Sequence, residues 1–117
     1  MSLILNTRKV NGHIVVEATG RIVQGDSALE LRDLTRRMTS DGGRNFILNL
    51  GGVTYVDSAG LGLLLSIYAT IRNQGGELKL INVNARIREL FKVTNLQHVF
   101  DIYEDESDAI AKKNPSA

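Results

Sequence analysis

Asp57-Ser58-Ala59-Gly60-Leu61-Gly62 is the stretch of this 117-residue chain whose residue types could do chemistry. An acid and a hydroxyl stand side by side, followed by small residues. They separate the strand-like run Val53–Val56 from the helix-like run Leu61–Ile67. The first turn of a helix has unpaired backbone N–H groups and a partial positive charge, so it favours an acceptor or an anion. Three roles are open to Ser58: a plain helix cap shared with Asp57, a catalytic nucleophile, or a hydroxyl displayed for another protein to modify.

The nucleophile is poorly supported. A serine hydrolase on such a junction needs Gly-x-Ser-x-Gly with a histidine base and an acid. Val56 stands where the first glycine belongs, and the only histidines are His13 and His98, both far from Ser58 in sequence. With no cysteine in the chain, thiol catalysis, disulfides and thiolate metal sites are excluded, and two distant histidines do not make a zinc site. Nucleotide binding has only Gly60-Leu61-Gly62 in its favour. Leu65 replaces the third glycine of the dinucleotide fingerprint, the next strand-like run ends in Ile81-Asn82-Val83-Asn84 without an acid, and no phosphate-binding loop with Gly-Lys occurs. Display remains. Ala59 and Gly60 keep bulky side chains off the first turn, and a phosphate on Ser58 would add about −1.5 to −2 charges beside Asp57.

The elements that must position this junction can be read from periodicity. Residues 3–10 and 13–20 predict two strands joined by Asn11-Gly12, a strong hairpin turn. Ile14, Val16 and Ala18 share one face of the second strand. A helix follows, with Ser27 as cap and Glu30 completing a capping box, apolar positions at Ala28, Leu31, Leu34 and Met38, and an Asp33–Arg37 pair. Arg32, Arg36 and Arg37 read as its solvated face. Residues 45–50 form a short, almost continuous apolar run, expected to be covered on both faces. Gly51-Gly52 interrupts it before 53–56. The helix after Ser58 extends to about Asn73 and is apolar around most of its circumference. Residues 77–83 predict another strand, Asn84 caps a third helix, 98–103 give a last strand and 106–113 a last short helix. Alternation with short glycine-rich joints argues an α/β layer structure, mostly parallel, opened by one antiparallel hairpin.

Bulk composition narrows the class. Hydrophobic residues make up 43% and charged residues 23%, and the net charge is +1, so nothing points to nucleic acid or an anionic membrane. The opening MSLILNTRKV lacks the basic start and apolar core of a signal peptide. The run 59–71 is well short of the ~20 residues needed to cross a bilayer. The expectation is a cytoplasmic protein with one domain over residues 1–113 and a disordered tail at 114–117.

These residues resemble a known family. The segment from Phe46 to Ile110 is similar to STAS-domain anti-sigma factor antagonists: a strand ending Asn-Leu, the motif Asp57-Ser58-x-Gly60-Leu61-Gly62, Gly75-Gly76 after the helix, then Leu96-x-x-Val99-Phe100 and Glu106-x-Asp108-Ala109. The resemblance implies a single STAS-type domain with a mixed, mostly parallel sheet of four to five strands, an N-terminal antiparallel hairpin and about four helices. It implies a non-enzymatic regulator without cofactor. Its partners would be an anti-sigma factor serine kinase, which phosphorylates Ser58 and thereby loses its grip, and a serine phosphatase, with no nucleic acid and no membrane. The implied docking surface comprises Asp57, Ser58, Ala59, Gly60, Leu61 and Gly62, with Val23 and Gln24 on the neighbouring loop. That loop departs from the family. Many members carry Gly-Glu-Leu-Asp where this chain has Gly20-Arg21-Ile22-Val23. Two rival readings follow: a constitutive STAS adaptor of a transport or lipid-trafficking complex, and a small domain that holds an anionic ligand at the helix N-terminus.

Overall fold

The computed structural model describes residues 3–111, without the side chains of residues 26 and 27. The strands are β1 (Ile4–Val10), β2 (His13–Ile22), β3 (Asn45–Val56), β4 (Glu77–Ile81) and β5 (Asp101–Tyr103). The helices are α1 (Asp26–Ser40), α2 (Ser58–Asn73), α3 (Ala85–Val93) and α4 (Glu106–Ala111). Five strands form one sheet in the order β1-β2-β3-β4-β5, with β1 antiparallel to β2 and every later pair parallel. The tail expected at 114–117 lies outside the described residues.

The hairpin forms as its turn chemistry dictates. Asn11 and Gly12 adopt φ of 50° and 81°, and Val10 pairs with His13. Beyond it the sheet is covered on both sides. On one face, Ile14 and Val16 of β2, Phe46 and Leu48 of β3, and Leu78 and Leu80 of β4 pack beneath Leu31 of α1, Leu64 and Ile67 of α2 and Phe91 of α3. On the other, Val15, Ile47 and Ile81 pack beneath Ala109 of α4. The apolar residues Phe46, Ile47 and Leu48 of β3 are therefore buried on alternate faces, as the pattern requires.

Several local expectations are corrected. Helix α1 begins at Asp26 with Gly25 at the cap position, so Ser27 is its second residue and the capping box is out of register. The cause lies in the backbone: Gly25 sits at φ 128°, open to glycine, which lets the helix start earlier. Asp33 pairs with its neighbour Arg32 at 3.2 Å, not with Arg37. Only 101–103 of the last strand-like run pairs as a strand. Asn82 stands beyond the end of β4, exposed, at φ 56°.

Gly51-Gly52 does not interrupt the strand. It bulges it. Glu17 pairs with Asn49 but Thr19 with Gly52, and Gly20 pairs with Val53 but Arg21 with Tyr55, so β3 gains an extra residue twice. Leu50, Val53 and Val56, three apart, consequently join the same core cluster, which plain alternation between the two faces would forbid. The two bulges aim the end of β3 at the entrance of α2.

Candidate functional site

The site is built where β3 ends. Asp57 is extended, with φ −93° and ψ −177°, and occupies the cap position of α2. Its Oδ1 accepts from the Gly60 N–H at 2.7 Å and its Oδ2 from the Gln24 N–H at 3.1 Å, while its own N–H donates to the Ile22 carbonyl at 3.3 Å. One carboxylate thus ties the β2–α1 loop to the start of α2. The Gly60 and Gln24 N–H groups, with further help from Ala59 and the Arg21 guanidinium, hold the Asp57 carboxyl below its ordinary range against a smaller opposing effect of burial.

Because Asp57 does the capping, Ser58 is free of that duty. It is the first residue of α2, it is exposed, and among the described residues its hydroxyl has no hydrogen-bond partner. Ala59 and Gly62 are exposed beside it, Gln24 is exposed and Val23 is half-buried on the facing loop. Gly60 and Leu61 differ from the expected docking role. Both are buried, and a Cβ on Gly60 would lie 2.0 Å from the Ile22 carbonyl oxygen. Gly60 is there so that α2 can press against β2, not to bare Ser58 to a partner. Leu61 faces the core at 8% exposure.

Two neighbours of the site were not legible in the motif. Arg21 lies with its guanidinium 5.2 Å from the centre of the Tyr55 ring, forming a cation–π stack on the exposed end of β2 and β3. On the other flank, a groove of about 480 Å³ between α1 and α2 adjoins Ala59 and Gln24. The pattern of α1 shows its arginines but cannot show which of them face α2.

The histidines are elsewhere. His13 opens β2 and His98 precedes β5, at the entering ends of parallel strands, whereas Ser58 follows the leaving end of β3. They line separate clefts of about 420 and 520 Å³. Neither can act as a base for Ser58.

A mixed five-stranded sheet with α2 entered through Asp-Ser-x-Gly-Leu-Gly is matched by a protein-family model, the STAS domain, over residues 5–109. The chain belongs to the STAS domain family. Among curated relatives of this STAS domain, the anti-sigma-B factor antagonist of Staphylococcus aureus is 35% identical over 75 residues, covering 64% of this chain and 69% of the relative. The anti-sigma F factor antagonist of Paenibacillus polymyxa is 24% identical over 112 residues, 96% of each chain. Among solved structures, the Bacillus cell fate determinant SpoIIAA in its phosphorylated form superposes with a TM-score of 0.72 at 20% identity, covering 92% of this chain and 97% of that one. The two curated relatives are named as anti-sigma factor antagonists. The fold follows that of the solved structure over 92% of the chain.

Proposed function

We propose that this STAS domain is an anti-sigma factor antagonist that works by partner switching at Ser58. The unphosphorylated form binds an anti-sigma factor serine kinase and so releases a sigma factor. The kinase phosphorylates Ser58, the complex separates, and a serine phosphatase restores the binding form. The observation that carries this reading is the exposed, unpartnered Ser58 hydroxyl at a helix start already capped by Asp57. A phosphate there brings about −1.5 to −2 charges, tolerated from inside by the helix end and unwelcome at a surface built to meet a neutral hydroxyl. A hundredfold change in occupancy requires only about 2.8 kcal/mol, within the cost of pressing a new charge against an unprepared surface. No rearrangement of the sheet is needed. The partner surface consists of Asp57, Ser58, Ala59 and Gly62 with Val23 and Gln24, while Gly60 and Leu61 fix the turn from within.

The decisive experiment is incubation of the full chain with a kinase-type anti-sigma factor and ATP, followed by mass mapping. One phosphate on Ser58 is expected, absent in Ser58→Ala, which should fold normally and bind the kinase constitutively. Ser58→Asp should bind poorly. A phosphate mapping to Ser66 or Thr54 would overturn the assignment.

A further inference from the structure

The groove between α1 and α2 lies beside Ser58 and begins at the same turn. Its floor is apolar, with Ala59 and Leu63 from α2 and Leu29 from α1, and Leu29 is 42% exposed. Leu29, on a helix whose Leu31 is fully buried, leaves part of this apolar floor open to solvent. Arg32 and Arg36 form the rim, and Gln24, whose N–H is tied to Asp57, closes the end nearest Ser58. Arg32 is neutralised by Asp33 at 3.2 Å. Among the described residues Arg36 has no ion-pair partner and no carboxylate lines the groove there. On the opposite flank, Arg21 over Tyr55 adds a second exposed cation, while the Asp57 carboxylate is engaged by backbone N–H groups.

We infer that the α1–α2 groove is a second docking element that receives a segment of the kinase partner bearing an apolar side chain flanked by carboxylates, with Leu29 and Arg36 selecting it. The inference rests on the partner-switching reading and specifies its partner. The apolar floor supplies contact area, and the uncompensated cation supplies charge complementarity and faster encounter. The groove is continuous with Ser58 through Ala59 and Gln24, so one bound segment can hold the hydroxyl in place while the phosphate is transferred from ATP. The Ser58 oxygen bonds to the γ-phosphorus of ATP as the bond from that phosphorus to the bridging oxygen breaks. ADP leaves with that oxygen, and the hydroxyl proton passes to a base of the partner or to water, all in the partner's active centre.

The test is steady-state phosphorylation of the full chain by the kinase that modifies Ser58. Arg36→Glu should raise KM about tenfold with kcat little changed, and Leu29→Ser should raise it likewise. Arg36→Lys should restore most of the affinity. Wild-type KM should rise with salt, and that rise should flatten in Arg36→Glu. Circular dichroism and melting should show the exposed substitutions folded as wild type. If wild type is phosphorylated at Ser58 but Arg36→Glu stays within twofold in KM, the groove proposal fails and partner switching stands. If no kinase phosphorylates wild-type Ser58, both fail together. If Arg36→Glu changes only self-association of the chain in sedimentation, the groove receives a second copy and the proposal is overturned.

Discussion

Asp57 carries two burdens with one carboxylate, and its isostere separates them. In Asp57→Asn the amide can still accept from one backbone N–H, but its NH2 meets the other, so one of the two bonds from Gly60 and Gln24 is lost. The sign of the pH dependence follows from the lowered folded pKa. The stabilisation by the charged Asp57 is fully present above its ordinary value of 3.8 and is lost as pH falls through the lowered folded value. Wild type should therefore melt a few degrees above Asp57→Asn at neutral pH, with the gap closing below about pH 4. Melts compared from pH 7 to pH 2 check this, and a gap independent of pH would show that the charge is irrelevant to the cap. A cap at Asp57 or Ser58 was legible in the sequence because capping is local: the acceptor Asp57 and the Gly60 N–H it serves lie three residues apart. The role of Gly60 was not. The atom it makes room for belongs to Ile22, nearly forty positions earlier.

At the scale of one helix, the two glycines of Gly60-Leu61-Gly62 are opposites. Gly60 is wedged against the Ile22 carbonyl, whereas a Cβ on Gly62 would meet nothing within 4 Å. Gly60→Ala should cost at least about 2 kcal/mol, because backbone must move to admit a methyl group. Gly62→Ala should gain about 0.5–1 kcal/mol, the helix advantage of alanine over glycine. Chemical denaturation of both variants measures the pair. Equal effects would refute the close approach of α2 to β2. The extent of α2 and the start of α3 at the Asn84 cap, which accepts from Ile87 N–H at 2.9 Å, were also readable, since they depend on nearest turns. The bulges of β3 were not, because a glycine pair inside an apolar run reads equally as a break. Only the register with β2 distinguishes the two.

For the molecule as a whole, the second sheet face depends on α4, a helix of six residues clamped at both ends. Arg8 of β1 donates to both carboxylate oxygens of Glu106, and that pairing holds the Glu106 carboxyl below its ordinary range. Lys79 of β4, 3% exposed, donates to the Ala109 carbonyl at 2.7 Å, with its ammonium 5.3 Å from the centre of the Tyr103 ring. In the sequence Lys79 is the polar member of an alternating strand and looks solvent-facing. Its burial is set by a helix thirty residues downstream. Lys79→Met keeps the apolar stem but removes the donor, and should cost about 1.5–3 kcal/mol. Amide exchange should quicken first within α4. Unchanged exchange there would mean that the clamp holds nothing. Among the described residues no helix is long and apolar enough to cross a membrane, and the Cα radius of gyration is 13.0 Å, the value expected for a chain folded as one compact unit.

The division of labour between Asp57 and Ser58 has a consequence for how a cell could use this chain. The alcohol contributes nothing to holding the helix in place, so its esterified and free forms should survive equally well against proteases that feed on unfolded chains. Turnover would then be blind to the mark. On the partner-switching proposal, a mark at Ser58 would be cleared by the phosphatase and by ordinary replacement of the chain, and not by selective degradation of the modified form.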